Sequence, residues 1–135
     1  MKYLVDTSAL TRILRRQVSP GWDDLERRGL LAACEPALTE TLLIAATKDY
    51  AALEESITTN YLPVTIPDGI WDLVAAIRRE LVPHSAHRGP SVVDLVIAAT
   101  AIRLKLTVLH EDGDFETVAR FVPELQEQRI SAGPE

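Results

Sequence analysis

Lys2-Tyr3-Leu4-Val5-Asp6-Thr7-Ser8-Ala9-Leu10 sets a short apolar run directly against a carboxylate and then against a polar start to a second run. Lys2 to Val5 has the length and apolar character of a buried strand. From Thr7 to Arg16, Leu10, Ile13 and Leu14 fall at helical spacing. The same alternation recurs along the chain. Leu31 to Cys34, Pro63 to Ile66 and Thr107 to His110 read as further strands, with Gln128 to Ile130 as a last edge strand. Between them, Trp22 to Arg28 suggests a short helix. Pro36 occupies a favoured first-turn position and opens a helix through Lys48, continued near Asp49 to Asn60. Asp68 to Leu81 carries Ile70, Leu73, Val74 and Ile77 on one helical face. Ser91 caps a helix to about Leu104, and Phe115 to Phe121 forms a short one.

Short apolar strands separated by helices imply an α/β fold with a mainly parallel sheet of four or five strands, covered on both faces. Ligands of such sheets bind beyond the carboxyl ends of the strands. Asp6 follows the first strand and Asp112 the fourth, so both are expected at that edge.

Composition is consistent with one folded domain spanning residues 1–135, with 47% hydrophobic and 25% charged residues. The two loosest stretches, Val18 to Gly21 and Val82 to Pro90, do not divide it into halves that would fold alone. No apolar stretch of signal-peptide length precedes Asp6, and the apolar stretch from Val92 to Ile102 is interrupted by Asp94. Cys34 is the only cysteine and ends an apolar run, so it is expected to be buried packing in a reducing, cytoplasmic setting. The net charge of −6 runs against a broad nucleic-acid footprint. Carboxylates gathered around a cation would account for part of it. Basic residues come in small groups, such as Arg12, Arg15 and Arg16, or His87 and Arg88.

Each acid has two readings. Asp6 is either an N-cap or a site residue, and Thr7 and Ser8 would cap equally well. Glu40 has only apolar neighbours three and four residues away (Pro36, Ala37, Leu43 and Ile44), a costly place for a lone carboxylate. Glu35, at the helix start, is its competitor. Ser91-Val92-Val93-Asp94 fits a capping box, yet Asp94 stands among apolar residues; a helix N-terminus would hold it ionised for a cation. His110-Glu111-Asp112-Gly113-Asp114-Phe115 is either a solvated acidic turn, with Asp114 capping the next helix, or a source of ligands. An oxygen-only donor set points to Mg²⁺ or Mn²⁺ rather than zinc.

The order and spacing of these acids resemble the PIN domain, in particular the VapC toxins of bacterial toxin–antitoxin pairs. The resemblance rests on Tyr3 to Ala9, the helical Glu40, His87 to Ala99 and Val108 to Phe115, and extends over nearly the whole chain. It implies an α/β/α sandwich, Mg²⁺- or Mn²⁺-dependent cleavage of RNA, a homodimer and a VapB-type antitoxin. It carries metal-site roles onto Asp6, Glu40, Asp94 and Asp112, makes Asp114 an accessory acid, and gives Thr7 or Ser8 a hydroxyl contact. Gly113 departs from the pattern, since many relatives are bulkier there and often basic. The antitoxin is expected to lay an amphipathic segment against Leu10, Ile13, Leu14 and the Trp22–Arg28 stretch.

Other phosphate chemistries lack their motifs. A dehalogenase-type phosphatase needs an aspartate where Ser8 stands, and there is neither a Walker loop nor a G-x-G-x-x-G. A receiver domain would need a phosphorylatable aspartate after the third strand and a lysine after the fourth. Only Pro67-Asp68 follows the third, and the lysine is missing. The remaining alternative is a PIN-like module that binds RNA or protein without turnover. A full acidic set argues against it.

Overall fold

Alternation along the strands divides the core in two. On β1 (Tyr3–Val5), Leu4 packs into one cluster while Tyr3 and Val5 pack into the other. On β2 (Leu31–Cys34), Ala32 and Cys34 oppose Leu31 and Ala33, and on β4 (Thr107–His110) Val108 opposes Leu109. This period of two is what a strand buried on both faces requires. The computed structural model describes residues 1–134. With β3 (Leu62–Val64) and β5 (Gln126–Arg129), these strands make a five-stranded sheet of order β3-β2-β1-β4-β5. Every neighbouring pair is parallel.

Helices cover both faces. Ala9 and Leu10 of α1 (Thr7–Leu14), Trp22 of α2 (Gly21–Arg27) and Ile57 of α4 (Thr47–Asn60) fill one cluster. The other takes side chains from α5 (Ile70–Leu81), α6 (Val92–Leu104) and α7 (Gly113–Phe121). α3 (Glu35–Leu43) serves both layers, with Ala37 in one cluster and Leu38 against the other. The result is the three-layer α/β/α arrangement. α6 is buried continuously from Asp94 to Ala101, as expected of a helix apolar on all sides. Among the described residues, no helix is long and apolar enough to cross a membrane.

Four expectations are corrected. β3 covers Leu62–Val64 rather than Pro63–Ile66. The helix opened by Pro36 stops at Leu43 rather than Lys48, and Ala46 is extended before α4 begins. Nothing in Ile44-Ala45-Ala46 signals a stop. The break re-aims α4 so that Ile57 and Tyr61 reach the core, a packing gain that overrides local propensity. α5 begins at Ile70, not Asp68, because Gly69 adopts a left-handed conformation (φ 75°) at its N-cap. β5 covers Gln126–Arg129 instead of Gln128–Ile130; its register against β4 runs from Thr107–Gln126 to His110–Arg129. Ile130 then turns into the core, where its carbonyl accepts the Trp22 indole N–H at 3.1 Å.

The order of the strands locates the site. From β1 the chain winds outward through β2 and β3, then crosses to β4 on the other side of β1. Connections therefore diverge between β1 and β4. Their carboxyl ends form the crevice where doubly wound sheets bind ligands.

Candidate active site

Asp6 stands at that crevice. Its N–H donates to the Leu109 carbonyl at 2.9 Å, extending the β1–β4 ladder by one residue. It is also the N-cap of α1: Oδ2 accepts from the Ser8 N–H at 3.1 Å and the Ser8 hydroxyl at 2.7 Å. The residue is only 2% exposed, and Oδ1 is buried without a hydrogen-bond partner among the described residues. Capping explains one oxygen and leaves the other orphaned, at a cost of roughly 1–3 kcal/mol in a metal-free fold. Burial raises the Asp6 pKa; hydrogen bonds from Ser8 and Thr7 oppose this, and the nearby Asp112 charge adds to it.

Ser8 joins the two strand ends. Its hydroxyl donates to Asp6 and accepts the Glu111 N–H at 2.9 Å. The Thr7 hydroxyl, by contrast, is buried without a hydrogen-bond partner among the described residues.

Asp94 enters from the first turn of α6. Its N–H donates to Ser91 Oγ at 3.1 Å, and its Oδ2 accepts the Ser91 N–H at 3.0 Å, completing the capping box. Its carboxyl is pushed up to about 6, which still leaves it mostly ionised at neutral pH. Burial is the main cause, the charges of Asp6 and Asp112 add to it, and the Ser91 bonds only partly offset it.

The acidic turn sorts itself. Asp112, not Asp114, is the N-cap of α7, its Oδ1 accepting the Asp114 N–H at 2.9 Å. Glu111 turns away to Arg129 at 3.0 Å and to the Ser131 N–H and hydroxyl, both at 3.1 Å. Although burial works against it, these bonds hold Glu111 below the usual carboxylate range. Glu116 pairs with the same arginine at 2.6 Å. Arg129 thus takes two of the four acids, leaving Asp112 and Asp114 to face the crevice.

One carboxylate oxygen from each of Asp94, Asp112 and Asp114 lies within 4.8 Å of the others. Opposite ligands of an ion at about 2.1 Å sit about 4.2 Å apart, so a small contraction would let these three share one. Burial, and then the charge of Asp112, raises the Asp114 pKa. Glu40 lies half-buried on α3, and neither it nor Asp6 is one of these three. Cys34 is buried in the core, as expected.

Gly89 follows the Ala86–Arg88 turn. A Cβ there would lie 2.9 Å from Asp114 Oδ1, so this turn passes close to the cluster and a side chain at residue 89 would push the Asp114 carboxylate aside. Gly89→Ala should leave the stability in EDTA within about 1 kcal/mol of the parent, since the atom it meets ends a movable side chain. It should nevertheless weaken Mn²⁺ binding about tenfold by displacing Asp114. Parallel melting and calorimetric titration would check both.

Two surface expectations change. Leu10 and Trp22 are core residues, so they are not available to a partner; Ile13 and Leu14 are only partly buried. These two instead line a groove of about 690 Å³ with Val18, Tyr61, Asp23 and Glu26. Arg27 and Arg28 pair with Asp24 on the surface.

The sequence profile of the PIN domain matches residues 3–121. The chain is 32% identical over 135 residues to ribonuclease VapC2 of Mycobacterium tuberculosis, covering 98% of this chain and 96% of that one. Ribonuclease VapC21 of the same organism is 31% identical over 133 residues, with coverages of 98% and 96%. Among solved structures, VapBC2 from Rickettsia felis bound to a promoter DNA fragment matches with a TM-score of 0.76 at 16% identity, covering 96% of this chain and 98% of that one. VapBC-5 from Mycobacterium tuberculosis matches with a TM-score of 0.68 at 24% identity, with the same coverages. At these identities the two structures establish a likeness of fold.

Proposed function

This chain belongs to the PIN-domain family, and from that premise we propose that it is a metal-dependent endoribonuclease toxin of the VapC kind, neutralised by a VapB-type antitoxin. The observation that carries the reading is the convergence of Asp94, Asp112 and Asp114, with the buried Asp6 near enough for its charge to act on Asp94. In this reading the chain is one PIN domain, cytoplasmic and homodimeric. Asp6, Asp94 and Asp112 hold Mg²⁺ or Mn²⁺, Glu40 joins them from α3, and Asp114 is the accessory acid. When bound, such a cation lowers the pKa of a water and offsets charge on a scissile phosphate. The protein's part is to hold these carboxylates together: Ser8 ties Asp6 to the Glu111 backbone, Ser91 orients Asp94, and Arg129 draws Glu111 and Glu116 away. A buried, unpartnered carboxylate oxygen has little use in a module that only binds RNA.

The test is a panel of structured RNAs mapped at nucleotide resolution with Mn²⁺ and with EDTA. Cleavage at discrete positions with Mn²⁺ alone supports the enzyme. RNA retained but uncut in both conditions rejects turnover and leaves the binding module.

The antitoxin is proposed to reach the groove beside Ile13, Leu14 and Tyr61. There these side chains stand among polar groups, the acids Asp23 and Glu26 and the arginines Arg16 and Arg27, a mixed lining that suits an amphipathic helix with both apolar and charged positions. Co-expression with the protein encoded by the adjacent gene should yield a stable complex with suppressed cleavage. A neighbour that neither binds nor inhibits would remove the toxin reading and leave the nuclease.

A further inference from the structure

His110 ends β4 and is fully buried, tilted against Phe115 with ring centroids 5.2 Å apart. A buried imidazole needs partners for both nitrogens. Nδ1 accepts the backbone N–H of Asp112 at 3.0 Å, so that nitrogen carries no proton. The ring hydrogen therefore sits on Nε2, which faces a carboxylate oxygen of Glu127. Glu127 lies on β5 opposite Val108, and His110 is the next residue of β4 on the same face as Val108.

The chain of bonds ends in the cluster. Glu127 selects the tautomer, His110 fixes the Asp112 backbone, and Asp112 Oδ1 is fixed in turn by the Asp114 N–H. With one oxygen and the backbone both held, rotation of the Asp112 carboxylate is limited, and its second oxygen is left unengaged by these bonds. Groups placed behind metal ligands in this way set ligand orientation. We infer that Glu127 and His110 are a positioning pair that aims Asp112 for ion binding, an inference that rests on the metal site proposed above.

A merely structural pair would change stability and leave ion affinity alone, and matched substitutions separate the two. Glu127→Gln keeps a carbonyl oxygen for the Nε2–H, whereas Glu127→Leu removes it at similar size. His110→Asn keeps an acceptor the same number of bonds from the backbone as Nδ1, whereas His110→Leu has nearly the same shape without one. For the full chain and each variant, the Mn²⁺ dissociation constant is measured by calorimetry, the melting temperature in EDTA, and kcat and KM on one cleaved RNA. Both Leu variants should bind Mn²⁺ about 10- to 100-fold more weakly, with kcat reduced and KM unchanged. Gln and Asn should restore affinity to within a few-fold of the parent.

Leu variants that bind Mn²⁺ like the parent, or Gln and Asn variants as weak as Leu, overturn the inference. The Glu127 side chain is 23% exposed, so that pair remains folded even if the His110 pair does not. A parent that binds no Mn²⁺ removes the metal site and this inference with it. A parent that binds, with unaltered variants, removes the inference alone.

Discussion

Asp94→Asn is expected to reduce Mn²⁺-dependent RNA cleavage at least about 100-fold, beyond the usual loss from a group behind the ligands, while leaving the fold intact. The amide oxygen can still accept the Ser91 N–H, so the capping box that starts α6 survives. What disappears is the negative charge and, with the amide oxygen kept on the Ser91 N–H, the second carboxylate oxygen. Residual activity within a few-fold of the parent, in protein free of host nuclease, would defeat the assignment. The same variant carries a pH signature. Asp94 is raised from its ordinary 3.8 to about 6 in the folded, metal-free protein. A carboxyl raised on folding contributes stability when protonated in both states, and that contribution is lost as pH rises through the folded value. In EDTA, the parent should therefore fall in melting temperature relative to Asp94→Asn as pH climbs from about 4 to above about 6, then level off. A difference that is flat across this window would show that Asp94 feels neither burial nor its acidic neighbours.

Mn²⁺ should raise the melting temperature of the parent, and Asp6→Asn should blunt that response. At about a hundred times its dissociation constant, a ligand of the folded state adds roughly 2.7 kcal/mol, which for this size is several degrees. Without metal, Asp6 is destabilising in two ways: its Oδ1 has no partner among the described residues, and its carboxyl is raised by burial and by Asp112. Asn keeps an acceptor for the Ser8 N–H and places donors where the orphan oxygen stood. Asp6→Asn should accordingly melt higher than the parent in EDTA and gain less from Mn²⁺. Dispersed surface acids would respond equally to NaCl at matched ionic strength. If Mn²⁺ stabilises the parent no more than NaCl, or stabilises Asp6→Asn equally, these acids do not form one site.

Much of this architecture is legible without coordinates because its determinants are local. Leu31–Cys34 and Thr107–His110 are strands with the bounds their apolar runs indicate, and Ser91 caps α6 where the motif places it. A strand or helix is selected by the period of its own side chains and by the backbone groups its own ends must satisfy. The position of Asp6 and Asp112 at the carboxyl edge follows from strand succession, again a property of the sequence alone.

Tertiary structure decided what depends on distant partners. The break after Leu43 exists because Ile57 and Tyr61 must reach the sheet. β5 is polar along its length, so its register was set by hydrogen bonding to β4 rather than by any hydrophobic pattern. Which acids face the crevice was settled by Arg129 and Ser131, well beyond the acidic turn, and the closeness of Gly89 to Asp114 by the fold of a loop. Neither Glu40, on its helix face, nor Asp6 is one of the three acids that lie within 4.8 Å of one another. Helical periodicity fixes the face on which a carboxylate lies, but not how far along the axis it sits from acids on other strands. The sequence by itself determined the layers and the sheet edge at which Asp6 and Asp112 stand. Only the crossover connections, by bringing residues 6, 94 and 112 to one crevice, decided which oxygens meet there, because charge repulsion and burial act through space and leave no period in the chain.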